Sequence, residues 1–319
     1  MLPERLPEKR YAMLGEREGR PFGHGSFGEV FFAWDKRTNV NVAVKKQIAS
    51  CDTLAREFTA YVGLAQYPHR NILRMLDSFV TEGNSKSLYL IFEMRDTNLW
   101  DFCKSYKVKT ARLESDHAAS LLGGVVCGLG HLHDLELIHG GLSLKNIVIG
   151  RDGRAIIADM GNLHRSDEQF SVWNRSTFYI RSPEYWMQPT ASQPHIDIWA
   201  LGVVAMKLLS GRLLFVSGNE LSDDALEQNL PHGMFELLGS IDEASELRRL
   251  PGWSSFADTY AARMEELSLT TMDTVIDRLV ATAGNRSRTD PCWSIVTSCI
   301  QWAEVVVVSG VVGCRYTVL

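Results

Sequence analysis

The chain has 319 residues, 45% of them hydrophobic and 22% charged. That composition suits a globular protein of one large domain or two average ones, and it excludes disordered and fibrous classes. A formal net charge of -5 gives no electrostatic reason to expect nucleic acid or an anionic membrane as a partner.

The start "MLPERLPEKRYAML" is charged and has no apolar h-region, so no secretory signal is expected. No run approaches the ~18 apolar residues of a membrane span. The six cysteines form no C-x-x-C pair, which argues against a disulfide framework or thiolate metal site and for a reducing compartment, cytoplasmic or nuclear.

In chain order, "FGHGSFGEV" comes first and spaces Gly23, Gly25, Gly28 and Val30 as G-x-G-x-x-G-x-V. Glycines let the backbone approach phosphates and offer bare amides, although an ordinary hairpin uses the same residues. The β-rich runs "EVFFAWD", "VNVAVKKQI" and "SLYLIFEM", with the helical "DTLAREFTAYVGLAQY" among them, predict a small antiparallel sheet with one helix. Lys45 falls inside such a strand, with Ala43 on the same face. A lysine there needs an anion, and Glu57 in the following helix can supply it.

"FEMRDTNL" is a polar strip without proline or glycine and reads as a hinge between two lobes. Beyond it, "DHAASLLGGVVCGLGHLHDL" places Ala118, Leu121, Leu122, Val125, Leu129 and Leu132 on one stripe of a core-facing helix. His131 and His133, two apart, fall on different faces and predict an exposed helix end rather than a metal site.

"LIHGGLSLKNIVI" then leads into "AIIADMGNL", setting Asn146 and Asp159 beside β-rich runs; an amide oxygen and a carboxylate suit Mg²⁺. "FYIRSPEY" and "HIDIWALGVVAMKLLSGRLLF" follow, while segments 217–256 and 281–292 read as surface connections. The tail "EVVVVSGVVGCRYTVL" reads as a packed extra strand, a partner-binding strand or an artefact of the gene assignment.

In this order the motifs resemble the eukaryotic protein kinase family over residues 14–298. The hinge "LYLIFEMRDTNL", the loop "FYIRSPE" and the insert-like "MFELLGSIDEASELRRLPGW" are similar to the cyclin-dependent and MAP kinase branch. The resemblance implies an α+β, two-lobed fold: an N-terminal extension over 1–13, an N-lobe with a small antiparallel sheet and one helix over 14–92, a hinge over 93–98, a mainly helical C-lobe over 99–298 and a tail over 299–319.

It also implies ATP and Mg²⁺ as ligands. Phe92 would be the gatekeeper, with the backbones of Glu93 and Arg95 facing adenine and Val30, Ala43 and Val148 around the base. The glycine loop would cover the phosphates. Lys45, steadied by Glu57, would hold two of them, and Asn146 and Asp159 would bind the metal. His139 would be structural, Asp197 would anchor the catalytic loop, and Glu184 would pair with Arg288.

The family's loop reads H-R-D-L-x-x-x-N, and this frame reads His139, Gly140, Gly141, Leu142, Ser143, Leu144, Lys145, Asn146. Gly141 stands at the place of the base, Gly140 at an arginine that clamps a phosphorylated activation loop, and Ser143 at a lysine that steadies the moving phosphoryl group. Losing one such electrostatic donor costs ~10²- to 10³-fold in rate. Asp134, Glu136 and Lys145 are poor stand-ins, the first two being expected in solvent and the third a cation. Ser171, Ser176 and Thr177 lie in the activation segment, where phosphorylation would lack its usual partner at 140.

Met160 replaces the family's phenylalanine. The short spacing from Lys45 to Glu57 argues against a cyclin-type docking surface. The function expected is therefore that of a pseudokinase that binds ATP and Mg²⁺ and works through an unidentified protein partner, with no nucleic acid or membrane. The alternative is an active Ser/Thr kinase with a non-standard base. A third reading, a scaffold that binds no nucleotide, leaves the retained buried charges without purpose.

Overall fold

Short β-rich apolar runs build the sheet of the first lobe. A computed structural model describes residues 10–13, 23–25, 28–48, 52–81, 87–105, 114–168, 177–187, 193–215, 223–243, 245–283, 287–289 and 292–300. Strands β1 (Tyr11–Met13), β2 (Gly23–Gly25), β3 (Gly28–Asp35) and β4 (Val40–Ile48) precede helix α1 (Asp52–Leu64), and β5 (Met75–Thr81) and β6 (Ser87–Glu93) complete an antiparallel sheet. Its order is β1-β3-β4-β6-β5, with β2 also paired to β3.

Successive strand residues face opposite ways. Phe31, Ala33, Val42, Val44, Tyr89 and Ile91 close a small core with Tyr11 on one face. Ala43, Lys45, Leu90 and Phe92 take the other: Lys45 lies opposite Leu90, and Ala43 opposite Phe92.

The end of the expected extension is built into this sheet. Tyr11 pairs with Asp35 in the ladder. Arg10 donates to both Asp35 carboxylate oxygens at 3.1 and 2.9 Å and also reaches Asp77, which accepts from the Tyr11 hydroxyl at 2.8 Å. Strand β5 has no counterpart in the sequence reading. A register shift between Met75 and Asp77 breaks its alternation, and as the edge strand it leaves Leu76 and Val80 exposed.

After the hinge come β7 (Thr97–Asn98), α2 (Leu99–Ser105) and α3 (Ser115–Asp134). All six residues of the α3 stripe are buried, each leucine contributing about 1.5–3 kcal/mol. The short strands β8 (Leu137–Ile138), β9 (Ile147–Ile149), β10 (Ala155–Ile157) and β11 (His164–Arg165) pair as β10-β9-β7 and β11-β8. Helix α4 (His195–Ser210) is apolar nearly all round and runs through the core of this lobe.

Helices α5 (Asp223–Leu238), α6 (Trp253–Glu266), α7 (Met272–Ala283) and α8 (Cys292–Cys299) complete the described chain. The expectation that 217–256 is only a surface connection is corrected by α5. Pro231 and Gly233 mask its period in the sequence, yet Leu230, Met234, Leu237 and Leu238 are buried at helical spacing. No helix among the described residues is long and apolar enough to cross a membrane. The tail beyond Ile300 lies outside the described residues.

The two lobes also touch away from the hinge. Residues 71–73 run along β10: Ile157 N–H donates to Asn71 O and Leu73 N–H to Ile157 O, each at 2.8 Å. The Asn71 amide donates to Ala155 O at 2.8 Å.

Candidate active site

The face of β4 that looks toward α1 carries Lys45, and α1 brings Glu57 over it. The Lys45 ammonium donates to Glu57 Oε1 at 2.9 Å and Oε2 at 2.8 Å, and to Asp159 Oδ1 of the other lobe at 3.1 Å. Gln47 Nε2 also donates to Glu57 Oε2. Lys45 is 7% exposed and Glu57 1%. Burial opposes the lysine charge, but Asp159 and Glu57 outweigh it and hold its pKa above the ordinary lysine range. Burial raises Glu57, with Lys45 working against the shift. One ammonium thus faces two carboxylates, an arrangement with one negative charge in excess.

Asp159 sits in the left-handed region at φ 64° and ψ 79°, uncommon for a side-chain-bearing residue and typical of functional turns. Its N–H donates to the Tyr61 hydroxyl at 3.1 Å, and its carboxylate accepts from Gly161 N–H at 3.4 Å. Met160 beside it is fully buried in the main core. Asn146 ends a 3-10 turn (Leu144–Asn146), and its side-chain N–H donates to Gly141 O at 2.8 Å, leaving its amide oxygen for another partner. Ala158 N–H donates to Asn146 O at 2.8 Å, so Asn146 and Asp159 flank the same end of the β9–β10 ladder. Both offer hard oxygen donors, the chemistry Mg²⁺ takes.

The other expected binding residues lie on β2, β3, β4, β6 and β9 and just after β6. Gly23 pairs with Val30 and Gly25 with Gly28; residues 26 and 27 lie outside the described chain. Val30 lies opposite Lys45, and from the second lobe Val148 lies opposite Asn98. Phe92 is buried against the Tyr61 ring, centroids 4.9 Å apart. The side chains of Glu93 and Arg95 pair with each other.

The glycine loop after β8 is held by backbone bonds. Asp197, 1% exposed on α4, accepts from His139 N–H at 2.8 Å and Gly140 N–H at 3.0 Å. Gly141 N–H donates to His139 Nδ1 at 3.2 Å; the proton of that ring therefore sits on Nε2, which donates to Ala158 O at 3.1 Å. Gly140 has φ +66°, whereas Gly141 is not among the positive-φ residues. Ser143 is buried, and Asp134, Glu136 and Lys145 are exposed.

Two expectations are corrected here. His133 is no exposed helix end: its Nε2 bonds Asp197 Oδ2 at 3.0 Å. His131 does face elsewhere, stacked on His69 with centroids 4.7 Å apart. Glu184 does not pair with Arg288, which spends its guanidinium on Asp273 and Asp277 at 2.8 and 2.7 Å. The partner of Glu184 is His195 Nε2, at 3.2 Å. Ser171 and Ser176 lie outside the described residues, while Thr177 opens the segment leading to Glu184. Sequence reading missed His133, His195, Tyr61 and Asn162 as site neighbours; their partners are far along the chain, and no local spacing marks them.

Comparison with known proteins gives a match to the protein kinase domain over residues 17–301. The chain is 26% identical over 276 residues to Cyclin-dependent kinase 12 of Caenorhabditis elegans, covering 80% of this chain and 35% of that protein. It is 27% identical over 201 residues to Mitogen-activated protein kinase 14 of Xenopus laevis, with 61% and 54% covered. To Stress-activated protein kinase JNK of Drosophila melanogaster it is 30% identical over 203 residues, with 61% and 53% covered. The matched region thus spans about half the length of these relatives, or less.

Proposed function

The chain belongs to the protein kinase domain family, in its cyclin-dependent and MAP kinase-related part, and from that premise we propose an intracellular pseudokinase that binds ATP with Mg²⁺, transfers phosphate poorly or not at all, and acts through a protein partner. One contrast carries the reading. The Lys45, Glu57 and Asp159 triad is assembled with every bond in place, while Gly140 and Gly141 bring no side chain to the loop beside it.

Lys45 would hold the nucleotide phosphates, with Glu57 fixing its position. The oxygens of Asn146 and Asp159 would hold Mg²⁺, and the negative excess at the triad favours that cation. ATP, when bound, supplies the phosphoryl group; what is missing is a residue to take the proton of a substrate hydroxyl and orient it. Gly141 cannot do so, Lys145 is exposed, and Ser143 is buried without a charge to offer.

ATP with Mg²⁺ should therefore stabilise the protein against unfolding, by about 2.7 kcal/mol at a hundredfold excess over Kd. Lys45→Met and Asp159→Asn should each shrink the shift. Transfer to generic protein substrates should not exceed that of the Lys45→Met control. Absence of a shift at millimolar ATP removes the nucleotide half of the reading, and transfer that disappears in the control removes the inactive half.

A further inference from the structure

Gly140 and Gly141 call for separate explanations. At Gly140 the left-handed backbone accounts for glycine. At Gly141 the backbone makes no such demand, and the space around it is what is special. A Cβ built there would lie 2.9 Å from Asn162 Nδ2, and the next two nearest atoms, both at 3.7 Å, also belong to Asn162. Real Cβ atoms do not approach that closely, so the amide must move before any side chain enters.

Asn162 is not free to move cheaply. It is 4% exposed and follows the buried Met160 in a short 3-10 turn (Met160–Asn162). Its Nδ2 donates to Gly140 O at 3.4 Å, and its backbone oxygen bonds the His164 ring at 2.7 Å. Its Oδ1 is buried with no hydrogen-bond partner among the described residues. An unpaired buried acceptor is a cost, so hydrogen bonding alone does not account for an asparagine here. What it does is fill the hollow beside Gly141 and brace the Gly140 carbonyl.

We propose that Asn162 is the steric complement of Gly141: a side chain from outside the loop occupies the room that a residue at the base position would need, and shuts that position to a carboxylate. The inference rests on the pseudokinase reading and names the residue that maintains it. Pushing Asn162 aside would also disturb the adjoining Gly161, whose N–H bonds the Asp159 carboxylate. A base restored at 141 alone would therefore be strained and would loosen the metal-side residue as well. Asn162 is a positioning residue in this account, not a catalytic one.

Thermal melting of the full chain in four forms tests the pairing: wild type, Gly141→Ala, Asn162→Ala and both together. Gly141→Ala should lower Tm by about 2–4 °C or more, and the same change in the Asn162→Ala background should lower it by less than half as much. Equal losses in both backgrounds overturn the proposal, as does a double variant that folds no better than a Gly141→Ala protein that fails to fold. A second arm reads function. Adding Asn162→Ala to Gly141→Asp with Ser143→Lys should raise phosphoryl transfer at least about tenfold; no gain between two folded, ATP-binding proteins overturns the claim that Asn162 shuts the position. Wild-type transfer above the Lys45→Met control sinks the pseudokinase reading instead, and leaves the melting comparison standing.

Discussion

At φ +66° a side chain on residue 140 clashes with its own backbone. Gly140→Ala should cost about 1–2 kcal/mol in urea unfolding, and a variant as stable as wild type would show that the loop can relax. The Glu184–His195 pair makes stability depend on pH. Burial disfavours the charged ring of His195, but its bond to Glu184 and the charges of Glu184 and Asp197 prevail and raise its pKa. Burial likewise works against the Glu184 carboxylate, and His195 outweighs it, lowering that pKa. A raised imidazole contributes fully below the unfolded histidine value and fades as pH climbs through the folded one. A lowered carboxylate contributes above the unfolded value and is lost as pH falls through the folded one. The pair is strongest between, roughly pH 5–6.5. Unfolding measured from about pH 5.5 to 8.5 should show wild type losing more stability than His195→Arg; parallel curves would show that His195 is not the titrating partner. The sequence pointed to an arginine for Glu184 because family spacing was the available guide. The histidine that replaces it lies eleven residues on, recognisable only once α4 is in place.

Helix α3 shows how an element becomes legible. Its stripe recurs at three and four, nothing interrupts it, and each expected core residue is buried. Leu129→Ala should cost about 2–5 kcal/mol, against about 0.5 kcal/mol or less for Ala119→Ser on its exposed face; similar losses at both would remove the packing argument. Strands β3, β4 and β6 were readable from their richness in β-branched, aromatic and other apolar residues. Helix α5 was hidden by Pro231, which removes a hydrogen bond from a helix interior, so packing of Leu230, Met234 and Phe235 overrides local preference there. Helix α1 is tied to the segment after β11 by Arg56 and Glu168, 2.9 Å apart. Both are part-exposed, so Arg56→Ala should change stability by less than about 1 kcal/mol.

For the molecule as a whole, the order of motifs was enough to give two lobes, because each motif needs its own strand, loop or helix. The contact of residues 71–73 with β10 was not readable, since it is backbone pairing and one amide. Asn71→Ala removes the donor to the buried Ala155 carbonyl and should cost about 1–3 kcal/mol; an unchanged melting temperature would show that the lobes are held without it. That same amide has a consequence in time. Its partner is 84 positions further along the chain, and at a synthesis rate of ~5–20 residues per second the ribosome takes roughly 4–17 s to supply it. By then all of β1 to β6 and α1 has emerged, with Tyr61 of α1 able to pack on Phe92 but the second lobe, still incomplete, not yet covering the rest of the apolar surface the two lobes share. Until then the apolar surface that the first lobe shares with the second is open to other chains.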